Sequence, residues 1–272
     1  MTAPASEQII RVETAHGPMW VFKSDIYVSR SLEKYGEYVS AETEVFRQAI
    51  RPGMTVVEVG ANIGSHSVFL ARACAPGPFY AFEPQQRVFQ LLATNVTING
   101  VTNALVYPEG LGETAGFIEI APPNYGGKGN FGSVSLSQGT TGGGNKLRVR
   151  VSTLDSWELG ACHFLKIDVE GWEIQVIQGG TETIRKCRPV IYVENDRAQH
   201  QGRLIEQISK LDYRLYWHVA PLFSPNNFRG DAENIFGNTA SLNMLCMPRE
   251  QNKPVTGLEL IDPENWTSPF KL

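Results

Sequence analysis

Apolar and polar residues follow two periods along this chain, and the two periods alternate. Short runs rich in β-branched and aromatic residues predict buried strands, and longer segments with an apolar residue every three or four positions predict amphipathic helices. From residue 55 onward the predicted strands are 55–59, 79–82, 103–108, 164–169, 190–194, 213–219 and 241–247. The predicted helices between them are 65–75, 87–98, 173–186 and 198–211.

This alternation of strands and helices predicts an α/β fold with a doubly wound, mostly parallel sheet. The last two strands are joined by residues 221–239, which carry no helical pattern. Parallel neighbours require a crossover connection, usually a helix. We therefore predict that the last strand runs antiparallel to its neighbours.

Smaller features flank this pattern. Alternation over residues 9–28 predicts a β-hairpin, with a capped helix at 40–50 and a short extra strand at 117–120. Residues 122–145 are too rich in glycine and polar side chains for a core element, so we expect a mobile loop or a lid. The expected units are an N-terminal extension at 1–40 with a frayed start, a main domain at 41–250 and an irregular tail at 251–272.

The composition narrows the class of protein without identifying it. The chain has 272 residues, of which 42% are hydrophobic and 19% charged, as in a soluble globular protein with one large α/β domain. No apolar run approaches the roughly 20 residues of a membrane helix, and the first residues lack signal-peptide features. The four cysteines are scattered, as expected in a reducing compartment. These features predict a cytoplasmic protein without a membrane partner.

The charge distribution bears on the substrate. The formal net charge is −4, and no basic stretch is present. Binding to a phosphate backbone depends on clustered lysine and arginine side chains, so we do not expect nucleic acid as a partner. A small molecule is the expected substrate.

A glycine-containing turn joins the strand at 55–59 to the helix that follows. Gly60 directly follows the strand, and Gly64 opens the helix. Glycines there permit a tight turn and a close approach of a ligand, and the free N–H groups of a helix start favour an anionic group. A pyrophosphate and the carboxylate of an amino-acid moiety both fit this description.

The spacing of the glycines separates these two ligands. Dinucleotide enzymes use G-x-G-x-x-G, but Asn62 and Ser65 stand at the second and third glycine positions. The spacing present, acid-x-G-x-x-x-G with Glu58 as the acid, is usual in S-adenosylmethionine enzymes. Glu83 ends the next strand, where a carboxylate can accept both ribose hydroxyls of either cofactor. The sequence therefore favours S-adenosylmethionine, with a nicotinamide-dependent oxidoreductase as the alternative.

Carboxylates end two strands farther along the chain. Asp168 and Glu170 lie at the end of the strand at 164–169, and Glu194 ends the next strand. Ligands of open α/β sheets bind at the carboxyl ends of the strands, so we expect these groups to share one crevice and to serve catalysis. The alternative is that basic side chains neutralise them in surface ion pairs, namely Lys166, Arg185 and Arg188.

The segment at 221–239 supplies candidates for binding an acceptor. Amide side chains pair well with sugar-like hydroxyls, although asparagine also serves turns. The candidates are Asn226, Asn227 and Asn238, together with Asn195 after the strand at 190–194. His218 ends the preceding strand and is a candidate general base, although a lone histidine is more often structural.

Four segments together resemble the FkbM family of methyltransferases. They are V-E-V-G-A-N-I-G at 57–64, A-F-E-P at 81–84, L-K-I-D-V-E-G-W-E at 165–173 and E-N-I-F-G at 233–237. The resemblance runs from about residue 35 to residue 249 and is most specific at 166–173. It implies the class I, Rossmann-like methyltransferase fold and S-adenosylmethionine-dependent O-methylation of a hydroxyl on a sugar or natural product.

The resemblance also implies roles for individual residues. Residues expected to hold the methionine end of the cofactor are Glu58, Gly60, Asn62 and Gly64, with Glu83 at the ribose. Further expected cofactor contacts are Tyr35 and Glu37 on the N-terminal side, Gly110 and Leu111 at the adenine, and Asp168. Asn130 lies in the expected lid and is a candidate for the acceptor. His66 stands where similar sequences often have an aromatic residue.

Methyl transfer to a hydroxyl sets two requirements. The acceptor oxygen must be held roughly 3 Å from the methyl group, and its proton must go to a base or be made acidic by a metal. Asp168, Glu194 or His218 is the expected base; in the alternative, Asp168, Glu194 and Asn195 hold Mg²⁺. We favour the base, because a metal needs more ligands than these residues supply. A cofactor-binding module without catalysis is a further alternative, against which the carboxylates argue.

Overall fold

The computed structural model describes residues 8–121, 123–132 and 146–270. It begins with a hairpin of β1 (Ile9–Thr14) and β2 (Gly17–Phe22), followed by α1 (Val28–Tyr35) and α2 (Ser40–Ala49). The hairpin and α2 confirm the sequence pattern. The pattern did not predict α1, because its buried face includes serines, Ser29 and Ser31, beside its apolar residues.

From α2 onward, helices separate many of the strands, but several strands also follow one another directly. These elements are β3 (Val56–Val59), α3 (Ser67–Cys74), β4 (Phe79–Phe82), α4 (Gln86–Ile98), β5 (Ala104–Tyr107), β6 (Glu109–Leu111), β7 (Gly116–Ile120), β8 (Leu147–Ser152), β9 (Phe164–Ile167), α5 (Glu173–Gly179), α6 (Thr181–Cys187), β10 (Val190–Glu194), α7 (Ala198–Ser209), β11 (Tyr213–Pro221), β12 (Ala240–Pro248) and β13 (Glu259–Leu260).

One eight-stranded sheet forms the centre of the molecule, in the order β13-β11-β12-β10-β9-β3-β4-β5. From β10 to β5 all neighbours are parallel, whereas β12 runs antiparallel to both β10 and β11. This arrangement confirms the predicted doubly wound sheet with its last long strand reversed. The carboxyl ends of β3, β4, β9 and β10 therefore meet along one edge.

Helices cover both faces of this sheet. Along β3 the side chains alternate between the two faces, so Val57 and Val59 pack into one apolar cluster and Val56 into the other. Residues of α5, α6 and α7 fill the first cluster, including Ile174, Ile184 and Leu204. Residues of α2, α3 and α4 fill the second, including Phe46, Leu70 and Leu92. Because every residue of β3 is buried, the turn that follows it has a rigid base.

Besides α1, the sequence pattern did not predict β6 or β8, and the structure departs from it in further places. The helix predicted at 173–186 is two helices, because the Gly179-Gly180 pair interrupts it between α5 and α6. The strand predicted near 117–120 is β7, which joins β6 and β8 in a separate three-stranded sheet. The tail, expected to be irregular, adds β13 to the edge of β11. The boundaries at residues 40 and 250 stay predictions.

Part of the expected lid is anchored to the core. Phe131 is buried and packs with Phe22 and Tyr125 of the same cluster, and the Gln85 side-chain amide donates to the Phe131 carbonyl at 3.0 Å. These contacts dock residues 123–132 against the core. The sequence pattern did not predict this, because the two aromatic residues stand among polar neighbours. The rest of the expected lid, residues 122 and 133–145, and the expected frayed start at 1–7 lie outside the described residues.

The four cysteines are free, and Cys74, Cys162 and Cys246 are buried. Across the described ranges, no helix combines the length and apolar character needed to cross a membrane.

Candidate active site

A pocket of about 320 Å³ opens at the carboxyl ends of β3, β4, β9 and β10. It collects many of the residues singled out from the sequence, although these come from distant parts of the chain. The predicted residues that line it are Glu58, Gly60, Asn62, Glu83, Gly110, Leu111, Asn130, Asp168, Glu170 and Glu194. Asp168, Glu170 and Glu194 share one crevice, as expected, and the glycine turn lies at the same sheet edge.

The turn after β3 lies directly against the end of β9. The N–H groups of Gly60 and Ala61 both donate to the Phe82 carbonyl at 3.0 Å, which ties the turn to β4. Gly60 has a φ of 83°, and a Cβ atom there would lie 1.8 Å from the carbonyl oxygen of Asp168. Glycine is required at this position because the backbone at the end of the neighbouring strand β9 occupies the space that a side chain would need.

Glu83 anchors the opposite wall of the pocket. One carboxylate oxygen accepts the Asn62 N–H at 3.0 Å and the other accepts the Gln85 N–H at 2.9 Å. Burial raises the pKa of Glu83 to about 7. Each oxygen retains a further lone pair, so the carboxylate can accept two hydroxyl donors from a ligand in the pocket.

Lys166 lines the pocket and joins two of the predicted carboxylates. Its side chain is 3% exposed, and its Nζ lies 3.0 Å from Asp168 Oδ2 and 3.6 Å from Glu58 Oε1. Glu58 also accepts the Ser67 hydroxyl at 2.6 Å. The expected neutralisation by Lys166 thus occurs in the interior. Arg185 and Arg188 form ion pairs elsewhere, with Glu182 and Glu250.

The remaining carboxylates lie together in the pocket lining. Glu170 is bonded to Arg197, which also lies 3.3 Å from Asp196. Among the described residues, Glu194 Oε2 is fully enclosed and has no hydrogen-bond partner. Burial, followed by the charges of Asp168 and Glu170, raises the pKa of Glu194 well above its ordinary value. Glu194 is therefore the unneutralised acid of this group.

In the structure, the residues that could bind a cation differ from the set predicted from the sequence. One oxygen atom from each of Asp168, Glu170 and Glu194 lies within 4.8 Å of the others. Asn195, expected as a third ligand, points away because its amide donates to Met244 Sδ at 3.4 Å. The residue after a strand end faces the opposite side of the sheet from the strand's last residue, which explains this difference.

Two residues expected to cover the cofactor instead hold the segment at 221–239. The Tyr35 hydroxyl donates to the Glu233 carbonyl at 2.8 Å and accepts the Ile235 N–H at 3.0 Å. Glu37 accepts the Phe228 N–H at 3.0 Å. Neither residue lines the pocket. Tyr38, a few positions farther along, does so in their place.

Gly64 and His218 also lie outside the pocket lining. A Cβ atom at Gly64 would lie 3.0 Å from the Leu92 side chain, so this glycine serves the packing of α3 against α4. His218 Nδ1 lies 2.7 Å from the Tyr192 hydroxyl, and burial lowers the pKa of this imidazole. The strand direction agrees with the expectation for His218, but its ring faces the core.

The asparagines of the 221–239 segment do not reach the pocket either. Asn227 is buried, donates to the carbonyls of Ser224 and Asp231, and accepts the Asp231 N–H at 3.0 Å. Asn226 and Asn238 are exposed. The turn-forming interpretation of Asn227 therefore accounts for its contacts, and the acceptor role of Asn226 and Asn238 stays a prediction.

Several pocket residues were missed from the sequence. They are Tyr27, Tyr38, Gln85, Arg197, Thr239 and Ser241. His66, left without a role, also lines the pocket; its Nε2 lies 3.2 Å from the Tyr38 carbonyl, so Nε2 carries the proton. Burial, followed by the Lys166 charge, lowers the pKa of His66 well below its ordinary value. The one signal in the sequence that could have found such a residue was position: Arg197 follows Asp196 directly after the end of β10, a strand that borders the pocket.

Comparison with known protein families identifies the family of this chain. The model of the methyltransferase FkbM domain matches residues 58–215, which is more than half of the chain. No curated protein sequence matches the chain significantly.

The solved structures with a similar fold are distant in sequence. A methyltransferase FkbM from Methylobacillus flagellatus KT has 15% identity and a TM-score of 0.46, with 80% of this chain and 57% of that chain covered. This chain thus spans less than two thirds of that protein's length. Precorrin-6y C5,15-methyltransferase from Geobacter metallireducens GS-15 has 9% identity, a TM-score of 0.49 and coverages of 75% and 85%. M. jannaschii TYW2 in complex with AdoMet has 11% identity, a TM-score of 0.46 and coverages of 88% and 85%.

The family match spans the glycine turn, Glu83 and the carboxylate-bearing ends of β9 and β10, which are the parts that build the pocket. The strand order agrees with the class I methyltransferase fold that the sequence resemblance implied. This chain belongs to the FkbM family of methyltransferases.

Proposed function

We propose that this protein is an S-adenosylmethionine-dependent O-methyltransferase whose acceptor is a hydroxyl of a sugar or a natural-product-type small molecule. The observation that carries the proposal is Glu194, a pocket carboxyl group with an enclosed oxygen that lacks a hydrogen-bond partner among the described residues. The neighbouring acids are already paired, Asp168 with Lys166 and Glu170 with Arg197.

The cofactor end of the pocket fits the proposed ligand. Glu83 presents two hydrogen-bond acceptors, as a ribose diol requires, and the backbone amides of Asn62 and Gln85 hold its oxygens in place. Phe82 and Leu111 provide apolar surface beside it, as an adenine ring requires. Glu58 and Gly60 at the turn would take the amino-acid end of the ligand. When bound, S-adenosylmethionine supplies a methyl group on a positively charged sulfur.

The acceptor end needs a group that takes a proton. An alcohol is a weak nucleophile at neutral pH, and a base is most effective when its pKa lies near the working pH. Burial and neighbouring acids raise the pKa of Glu194 above its ordinary value, which makes its carboxylate a stronger base than an exposed one. Glu194 would accept the proton of the acceptor hydroxyl as the oxygen forms its bond to the methyl carbon, while the bond from that carbon to sulfur would break and leave its electron pair on sulfur. The positive charge of the cofactor would favour the ionised form of Glu194.

The walls of the acceptor end support a sugar-like or polyol ligand. Tyr27 and Leu222 supply flat apolar surface, and Thr239 and Ser241 add hydroxyl-bearing side chains. Tyr27 is itself held by stacking on Phe236 at a centroid distance of 6.1 Å. Mixed apolar and hydroxyl surfaces suit a ring that carries hydroxyl groups.

The charge of the pocket disfavours a polyanion. Its acidic residues outnumber its lysine and arginine residues, and the acids are Glu58, Glu83, Asp168, Glu170, Glu194 and Asp196. The cations that line the pocket are Lys166 and Arg197, both of which are engaged in ion pairs. Phosphate groups would be repelled here, so we propose a small molecule in preference to a nucleic acid.

A divalent cation is the second version of the mechanism. Asp168, Glu170 and Glu194 offer three oxygen ligands, which would suit Mg²⁺ chemically. We favour direct base catalysis, because Lys166 and Arg197 already neutralise two of these three carboxylates.

Two measurements test the proposal. Calorimetry should detect binding of S-adenosylmethionine and S-adenosylhomocysteine and no binding of NAD or NADP; the reverse result would support the oxidoreductase alternative. Transfer of a labelled methyl group should then be measured on a panel of sugars and hydroxylated natural products, with tRNA included. Cofactor binding without transfer to any acceptor would favour a non-catalytic module, and transfer to tRNA alone would refute the proposed acceptor class.

The Glu194→Gln variant tests the base. Gln keeps the size of the side chain but accepts no proton, so kcat should fall about 100-fold or more while affinity for S-adenosylhomocysteine is retained. Glu206→Gln, at an exposed position on α7, is the matched control and should behave as wild type. Loss of activity with chelator and recovery with Mg²⁺ would instead favour the metal version.

A further inference from the structure

Lys166 is a buried cation that the reaction proposed above does not use directly. It lies in β9, and the residue beside it in the parallel neighbour β3 is Glu58. Its Nζ donates to Asp168 Oδ2 at 3.0 Å and lies 3.6 Å from Glu58 Oε1. One ammonium group therefore lies between a carboxylate at the cofactor end of the pocket and one at the acceptor end.

The other ionisable groups described around Lys166 are acidic or neutral. Glu42 on α2 is buried and contributes a further negative charge, and His66 at the start of α3 is held neutral by burial and by the Lys166 charge. Burial opposes the charged form of Lys166, but the charges of Asp168 and Glu58 outweigh it, so the pKa of this lysine is raised. Lys166 thus remains an ammonium ion at all working pH values.

No second cation in the described part of the pocket can replace it. Arg197, the other cation of the lining, pairs with Glu170 and Asp196 on the acceptor side. A buried carboxylate that loses its counterion is strongly disfavoured in its charged form. Loss of the Lys166 charge would therefore disfavour the charged form of Glu58 and would remove a hydrogen-bond donor from Asp168.

We infer that Lys166 is a positioning residue, a shared counterion that keeps Glu58 ionised at the cofactor end and orients Asp168 at the acceptor end. The inference rests on the proposed function, because it assumes that the Glu58 end of the pocket receives the cofactor. One buried ammonium group would thereby couple the two ends of the site, which different strands of the chain supply.

Binding of S-adenosylhomocysteine by calorimetry tests the inference without a known acceptor. The variants are Lys166→Met and Lys166→Arg, with Lys210→Met at an exposed position of the surface as the control. Lys166→Met should weaken binding about threefold or more near pH 7.5, since removal of an adjacent opposite charge raises a carboxyl pKa by about one unit or more. Glu58, whose pKa burial already raises to about 7, would then be largely protonated.

The pH dependence separates this role from a structural one. Relative to wild type at each pH, the loss in Lys166→Met should shrink as the pH rises toward about 9.5, because Glu58 ionises again. Lys166→Arg should keep most of the wild-type affinity. A loss independent of pH, or an arginine variant as impaired as the methionine variant, would overturn the inference. Wild-type protein that binds no S-adenosylhomocysteine would instead refute the proposed function.

A double-mutant cycle tests the link to Asp168. In the Asp168→Asn background, Lys166→Met should reduce kcat far less than it does in wild type, because the residue it orients has already been changed. Additive losses would contradict the assignment. Should Lys166→Met fail to fold by circular dichroism, the double variant, which removes one carboxylate with the ammonium, replaces it in the binding titration.

Discussion

The turn at Gly60 allows a quantitative test of why glycine follows β3. An alanine here would carry its Cβ atom 1.8 Å from the Asp168 carbonyl oxygen, whereas ordinary contacts begin at 3.4 Å. The ends of β3 and β9 would therefore have to separate by about 1.6 Å. The hydrogen bond from the Asp168 N–H to the Val59 carbonyl, at 3.0 Å, lies in the path of that movement.

Two costs add in Gly60→Ala. A non-glycine residue at a φ of 83° costs about 1–2 kcal/mol. Forcing a packed region apart costs a further 1–3 kcal/mol, approximately. We expect a decrease of about 2–5 kcal/mol in the free energy of unfolding, together with weaker cofactor binding because Asp168 and the turn amides are displaced.

Gly53→Ala separates the two costs. Gly53 has a φ of 87°, similar to Gly60, but a Cβ atom there would meet nothing within 4 Å. Urea unfolding of both variants should therefore show Gly60→Ala less stable than Gly53→Ala by about 1–3 kcal/mol, the packing cost alone. Equal stabilities within about 0.5 kcal/mol would refute the reasoning and leave the backbone angle as the only reason for glycine.

Three further predictions concern burial and the loop that borders the pocket. Burial raises the folded-state pKa of Glu83 from 4.5 to about 7, so ionisation of this residue destabilises the fold between these pH values. Urea unfolding should therefore show Glu83→Gln gaining stability relative to wild type as the pH rises from about 5 to 8, by roughly 3 kcal/mol at most. A stability difference that stays constant with pH would contradict this. At pH 8 the same variant should bind S-adenosylhomocysteine about tenfold more weakly or worse, since it loses charged acceptors for the ribose, and unchanged affinity in calorimetry would remove Glu83 from the cofactor site. Asn227→Ala leaves buried groups without partners and should cost about 1–3 kcal/mol, whereas exposed Asn226→Ala should cost less than about 0.5 kcal/mol; a reversed order in thermal or urea unfolding would disprove the structural role of Asn227.

The pocket also explains why acid residues tolerate one another at this site. Glu58 and Asp168 share Lys166, and Glu170 is bonded to Arg197. Glu194 is left without such a partner among the described residues. This unequal pairing assigns different chemistry to carboxylates that look alike in the sequence, with structural ions on one side and a candidate base on the other.

Much of the fold was predictable because its signals are local. The strand and helix periods of β3, β4, β9 and β10 repeat over a few residues, and the reversal of β12 follows from a connection without a helix. The failures were also local: the serines that bury one face of α1 and the paired glycines between α5 and α6 weaken the helical pattern. The aromatic anchors of residues 123–132 were hidden by polar neighbours.

By itself, the sequence determined the α/β architecture, the glycine turn suited to S-adenosylmethionine and the carboxylates at strand ends. Only the tertiary structure decided which of these groups meet. Because β9 lies beside β3 although about a hundred residues separate them, Lys166 faces Glu58, and the Asp168 carbonyl fills the space beside Gly60. Because the pleat alternates, Asn195 turns away while Glu194 stays in the pocket. Periodicity specifies where an element lies in the chain, but the order of strands in the sheet specifies which side chains share a site.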